Sequence, residues 1–205
     1  MRWDRFFEDL EDQLDSEWEA ERAALDSEAE RLRLSRVTLR ERLRALAAPA
    51  GEGDPVLDLV DDTTASGRLA AVGADWVGMQ PPGPQTGVVV VPLAAIRAVA
   101  LAHADLLRSA RPVRSRRADR RGLTDRMSLG FVLRDAARRR IPVTARLLGG
   151  RTLAGTVDRA GADHLDLALH EHGSARRASE VVGFRMVPFA ALASVRLEGR
   201  SDVVG

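Results

Sequence analysis

The chain has 205 residues, of which 45% are apolar and 30% are charged, so it can fold as one ordinary domain or as two small ones. It contains no cysteine, which excludes a disulfide framework and a thiolate metal site. The acidic start MRWDRFFEDLEDQLD and the short apolar run GVVVVPLAAI predict neither a secretory signal nor a membrane span, and therefore a cytoplasmic location.

Charge is distributed unevenly, although the net charge is only +1. Residues 1–34 hold twelve acids and five arginines, net −7, whereas residues 106–140 hold twelve arginines and three acids, net +9. We expect these two regions to attract each other or oppositely charged partners, and the near-neutral total argues against a protein that coats nucleic acid with its whole surface.

The first 34 residues predict one long amphipathic helix. Apolar side chains recur every three or four residues, and no glycine or proline occurs before Pro49. Such a helix could pack its aromatic end on the rest of the chain, form a helical homodimer or dock on a protein partner. Its acidic polar face argues against a membrane-surface helix. The predicted partner-binding residues are Trp3, Phe7, Leu10, Leu14 and Trp18.

A duplicated segment occupies most of the remaining chain. The stretch GRLAAVGADWVGM, which begins at Gly67, returns without a gap as GTVDRAGADHLDL, which begins at Gly155, so that Asp75 aligns with Asp163. The repeat length of roughly 65 residues indicates a duplicated domain and not a solenoid of shorter units.

The duplication extends on both sides of this block. VVPLAAIRAVAL returns as MVPFAALASVRL after an insertion of eight residues, which aligns Pro92 with Pro188. Upstream, a short helix is predicted in each copy, with Leu39 aligned on Leu129. The predicted boundaries are 1–34 for the acidic helix, 35–105 for the first repeat, 106–122 for an arginine-rich linker, 123–200 for the second repeat and 201–205 for a tail.

Each repeat is predicted to contain five short strands. In the first copy these are Val56–Val60, Arg68–Val72, Trp76–Gln80, Val88–Val91 and Ile96–Leu101, separated by turn residues. We interpret Gly67 and Gly155 as positions where a strand bends or another backbone passes closely. Asp75 and Asp163 are interpreted as turn residues, and Pro92 and Pro188 as interruptions that donate no ladder hydrogen bond.

A helix followed by five bent strands resembles the small barrels of the Sm-like and SH3-like families, in which a glycine of the second strand and an aspartate of the next turn recur. The resemblance implies an α+β fold with two tandem helix-plus-barrel units after the long helix. The nucleotide-binding asparagine and arginine–glycine pair of Sm-like proteins have no counterpart here. The MRWD start and the paired GAD…VP blocks also resemble a set of small uncharacterised actinobacterial proteins.

The arginine-rich segment between the repeats has three interpretations: a solvated linker, a contact to nucleic-acid phosphates, or a latch to the acidic helix. It has no aromatic residue for stacking on bases. The candidate phosphate-contacting residues are Arg108, Arg111, Arg114, Arg116, Arg117, Arg120 and Arg121.

No motif predicts a catalytic, cofactor or metal site. His170 and His172 are the closest histidine pair, but a third zinc ligand is not evident. The leading hypothesis is a non-enzymatic interaction or regulatory protein, in which the acidic helix mediates self-association or partner docking and the two barrels are interaction modules. The alternative is a nucleic-acid-binding module that uses the arginine-rich segment and the barrel surfaces.

Overall fold

The computed structural model describes residues 2–48, 53–83, 87–111, 122–171 and 178–199. Trp3, Phe7 and Leu10 belong to the first helix, but their side chains lie outside the described part. Also outside it are the tail 201–205 and five of the candidate arginines: Arg114, Arg116, Arg117, Arg120 and Arg121.

Each repeat begins with a short helix that is followed by strands, as the sequence predicts. The structure adds one short strand to the first repeat and one short helix between the repeats. The helices are α1 (Arg2–Ser35), α2 (Leu39–Leu46), α3 (His103–Ser109) and α4 (Leu129–Arg139). The strands of the first repeat are β1 (Val56–Leu59), β2 (Thr64–Ser66), β3 (Arg68–Val72), β4 (Trp76–Gln80), β5 (Val88–Pro92) and β6 (Ile96–Ala100). Those of the second repeat are β7 (Pro142–Leu147), β8 (Thr152–Ala160), β9 (His164–Leu169), β10 (Gly183–Pro188) and β11 (Leu192–Leu197).

The chain divides into two compact units, residues 1–39 and residues 40–205. The first consists mainly of α1, whose 34 residues span about 50 Å at 1.5 Å per residue. The Arg33 guanidinium donates two hydrogen bonds of 2.6 Å to the Glu30 carboxylate one turn earlier, which supports the last turns of the helix. The described side chains of the apolar stripe expose between 47% and 66% of their surface: Leu14, Trp18, Leu25 and Leu32.

The two repeats have the same strand register. Leu69 opposes Met79 in the first hairpin, and the aligned Val157 opposes Leu167 in the second. A bulge follows this pair in both hairpins, so each bends at the same place. The duplicated sequence therefore specifies one strand arrangement twice.

The predicted fold class of two tandem barrels is wrong. The strands form two open sheets, one of three strands in the order β2-β1-β6 and one of eight strands in the order β10-β9-β8-β7-β11-β5-β4-β3. The larger sheet contains strands of both repeats because β5 of the first repeat pairs with β11 of the second. Within the described residues, neither sheet closes on itself.

Burial on both faces of β5 is the physical reason for this merger. Val89 and Val91 face the core of the first repeat, together with Leu43 of α2. Val88 and Val90 face the other way and belong to a core that is built mostly from the second repeat; we call it the shared core. Closing the first repeat by itself would leave these two valines in water, at a cost of about 1.5–3 kcal/mol for each fully buried side chain.

Candidate interaction surfaces

The two repeats meet along a strand joint. In the antiparallel ladder between β5 and β11, Val90 opposes Val195 and Val88 opposes Leu197. All four side chains are buried in the shared core. Gly87, just before β5, makes this approach possible, because a Cβ there would lie 2.4 Å from the carbonyl oxygen of Leu197.

The tip of the first-repeat hairpin forms a second contact between the repeats. Gly73 donates its N–H to the carbonyl oxygen of Trp76 at 2.8 Å, which closes the turn. The carbonyl oxygen of Met127, just before α4, then accepts hydrogen bonds from the N–H of Ala74 at 2.9 Å and from the Trp76 indole at 2.8 Å. Trp76 is fully buried, so it is a core residue that also positions the start of the second repeat.

Asp75 completes this contact at the N-terminus of α4. Its carboxylate accepts the N–H of Leu129 at 2.7 Å, while Ser128 accepts the N–H of Phe131 at 3.3 Å within the helix itself. Both acceptors satisfy N–H groups that a helix leaves without an internal partner, and the negative charge of Asp75 favours the positive end of the helix dipole. The sequence predicts a turn residue at Asp75 but does not reveal this capping contact.

Asp163 occupies the same position in the second repeat, with different surroundings. Its carboxylate accepts a 2.8 Å hydrogen bond from Nδ1 of His164, which holds the pKa of this exposed carboxyl below its usual value. As in the first repeat, its carbonyl oxygen accepts the N–H of the residue after the aligned proline: Phe189 bonds to Asp163 at 2.7 Å, and Leu93 bonds to Asp75 at 2.9 Å. The two tips therefore share this backbone hydrogen bond, and the carboxylates have different partners.

An ion pair also crosses between the repeats. Nε of Arg146 in β7 lies 2.6 Å from the carboxylate of Asp61, whose side chain is fully buried. Burial opposes ionisation of this carboxyl, but hydrogen bonds from Thr63 and Arg146 outweigh it and hold the pKa of Asp61 below its usual value. The sequence places Asp61 in a turn, and nothing in the local pattern indicates a partner 85 residues away.

Another backbone passes close to each of the two glycines for which the sequence predicts a bend or a close approach. A Cβ on Gly67 would lie 2.1 Å from the carbonyl oxygen of Gln80, and a Cβ on Gly155 would lie 2.0 Å from that of Ala168. The aligned prolines each end a strand and precede a short 3-10 turn: Pro92 before Leu93–Ala95 and Pro188 before Phe189–Ala191. These residues shape the scaffold.

Two candidate arginines of the basic segment lie in the described part. The Arg108 guanidinium donates to the buried carboxylate of Asp105 at 2.8 Å and to the carbonyl oxygen of Ala45 at 2.8 Å, so it ties α3 to the end of α2. Arg111 is exposed two residues after α3. Arg108 is therefore engaged within the fold.

His170 is a buried structural residue. Its Nε2 lies 2.8 Å from the Thr156 hydroxyl and its Nδ1 lies 3.0 Å from the carbonyl oxygen of Glu171. His172 lies outside the described residues. Among the residues that the structure describes, no group of three His, Asp or Glu side chains could hold a metal ion.

Sequence reasoning missed two exposed apolar side chains on strand β10. Phe184 exposes 60% of its surface and Met186 exposes 71%, whereas the aligned Val88 and Val90 of β5 are buried. The signal was present in the repeat alignment, because apolar residues recur at both positions of both copies. Only the strand order shows that one pair is covered and the other is not.

Comparison of the chain with protein-family models, with curated proteins and with solved structures gives no significant match. No helix in the described ranges combines the length and apolarity needed to cross a bilayer.

Proposed function

We propose that this chain is a non-enzymatic interaction protein in which α1 docks on a protein partner and the two-repeat unit is the scaffold that carries it. The supporting observation is the exposed apolar stripe of α1, above all Trp18, which exposes 66% of its surface. A stripe of this width along a helix normally faces another protein surface, and tryptophan is enriched among residues that dominate binding energy.

The charge of α1 indicates what kind of surface it fits. Residues 1–34 carry a net charge of −7, so two copies of the helix side by side would repel each other. A partner with an apolar groove flanked by basic residues would bury the stripe and neutralise the acidic face. Amphipathic helices bind such grooves through apolar anchors spaced three or four residues apart.

The test compares two alanine variants of the full chain. Trp18→Ala removes an apolar anchor, and Ser16→Ala changes an exposed position nearly opposite on the helix. Proteins captured by the wild-type chain are purified, and their binary affinities are measured at two salt concentrations. We expect Trp18→Ala to weaken binding about 30-fold, the equivalent of about 2 kcal/mol, and Ser16→Ala to leave it unchanged.

The salt dependence is the second readout, because attraction between an acidic helix and a basic groove weakens as salt rises. Unchanged affinity in Trp18→Ala would overturn the proposal. It would also be overturned if the only association lost in Trp18→Ala is that of the chain with itself, since the occupant of the stripe would then be a second α1.

A further inference from the structure

The structure has two open strand edges that match the two sides of its own internal joint. We propose that copies of this chain assemble head to tail, with β10 of one copy pairing antiparallel with β6 of the next. This assembly does not depend on α1. It would repeat between molecules the β5–β11 contact that already joins the two repeats within one molecule.

The strand order identifies the edges. In the described structure β10 pairs with β9 alone, whereas its counterpart β5 pairs with both β4 and β11. Likewise, among the described strands β6 pairs with β1 alone, whereas its counterpart β11 pairs with both β7 and β5. Each repeat thus has one edge of the β5 type and one edge of the β11 type. The internal joint uses β5 of the first repeat and β11 of the second, which leaves β6 and β10 open in the described structure.

Hydrogen-bonding direction agrees with this pairing. The Phe189 N–H bonds to Asp163, and because bonded pairs alternate along an antiparallel ladder, the Arg185 N–H also points toward β9. The N–H groups of Phe184 and Met186 therefore point outward. In β5 the same rule directs the N–H groups of Val88 and Val90 toward β11.

The side chains show the same complementarity. Two apolar positions that the internal joint buries are exposed in the other repeat. Val88 is 6% exposed and its counterpart Phe184 is 60% exposed. Val90 is fully buried and its counterpart Met186 is 71% exposed. Edge strands normally carry charges or prolines that discourage pairing, so two large apolar side chains on β10 favour a covering strand.

Gly183, at the start of β10, supports the proposed pairing of β10 with β6. Gly87 admits the carbonyl oxygen of Leu197 into the internal joint, and the aligned position is Gly183. A Cβ on Gly183 would meet nothing closer than the Arg185 guanidinium at 3.8 Å, so the space beside it is open. Transferring the internal register places Leu101 of the next copy at this space and pairs Met186 with its Val99.

An interface between two different edges is heterologous, so a pair of joined molecules still has one free β10, on one copy, and one free β6, on the other. The assembly therefore grows past a dimer into a ring or an open chain. We expect the mass of the wild-type chain, measured by light scattering over a range of concentrations, to rise beyond that of a dimer.

Two proline variants test the direction of assembly. Met186→Pro removes an outward N–H from β10 and leaves the ladder to β9 intact, and Val99→Pro does the same on β6, because its counterpart Val195 directs its N–H toward β5. Each variant alone should be monomeric, with the far-UV circular dichroism spectrum of the wild type and, at dilutions where the wild type is also monomeric, the same thermal unfolding. Mixed together, they should form a 1:1 dimer and nothing larger, because each retains one working edge.

The controls separate this proposal from folding defects and from α1. Met186→Val retains the donor and an apolar side chain and should assemble, while Met186→Glu retains the donor but should not. The proposal is overturned by a monomeric wild type at every concentration, by proline variants that assemble as the wild type does, or by a mixture that stays monomeric. It is also overturned if Trp18→Ala abolishes self-association and Met186→Pro does not.

Discussion

Substitution of Gly155 by alanine tests how the repeat is held together. The new Cβ would lie 2.0 Å from the carbonyl oxygen of Ala168, about 1.4 Å inside the 3.4 Å at which ordinary contact begins. Because the neighbouring atom belongs to the backbone of β9, relief requires the β8–β9 ladder to separate locally. We therefore expect a stability loss much larger than that of an average surface substitution.

The expected loss in the free energy of unfolding of Gly155→Ala has two parts, strained backbone hydrogen bonds and a buried hydroxyl that loses its partner. The strained ladder pair is Thr156 with Ala168, which exchanges two backbone hydrogen bonds, at about 1 kcal/mol for each bond lost. The buried Thr156 hydroxyl would also be drawn from His170, and a buried polar group without its partner costs about 1–3 kcal/mol. The sum is about 3–5 kcal/mol, or a fall in Tm of about 6–20 °C for a chain of this size.

The assay is denaturant and thermal unfolding, followed by far-UV circular dichroism and tryptophan fluorescence. Gly149→Ala is the matched control, because a Cβ there meets nothing within 4 Å, and its stability should change by no more than about 0.5 kcal/mol. A Gly155→Ala variant as stable as the control would refute the close-approach reasoning, and equal losses in both variants would point to a general effect of alanine in this region.

Two further predictions concern carboxylates at the contact between the repeats. Because the folded pKa of Asp61 lies below its unfolded value, its ion pair with Arg146 stabilises the fold above about pH 4 and loses this effect as the pH falls through the folded pKa. Asp61→Asn should lower the stability near neutral pH by about 1–3 kcal/mol and flatten its acid dependence in denaturant unfolding; an unchanged acid limb would count against this assignment. Asp75→Ala removes the cap on the N–H of Leu129 and should cost about 1 kcal/mol, whereas Asp163→Ala at the exposed tip should leave the stability unchanged; equal losses would contradict the capping role.

Local patterns were sufficient to predict much of the secondary structure. Strands β3 and β4 begin and end where the alternation of apolar residues and the Gly-Ala-Asp turn predict them. The glycines were also predictable, since a residue without a side chain at the start of a strand in both copies implies that another backbone passes close by. The capping contact of Asp75 was not, because its partner lies 54 residues further along the chain.

The partner of strand β5 could not be predicted from the local sequence. Four consecutive valines, Val88 to Val91, are typical of a strand buried on both faces, and that signal argues against an isolated barrel. The sequence does not state which element covers the second face. In the structure, β11 and the shared core cover it.

The sequence by itself determined that one arrangement of helix and strands occurs twice, because spacing, turn residues and close-approach glycines act over a few residues and are the same in both copies. Only the tertiary structure decided that strands of both copies share one open sheet of eight strands, while β1, β2 and β6 of the first copy form a second sheet. That outcome depends on pairing between strands about 100 residues apart, where the free energy comes from covering Val88 and Val90 and from the ladder to β11. The same pairing leaves the β6 and β10 edges open, and it is why two repeats with the same strand register present different surfaces.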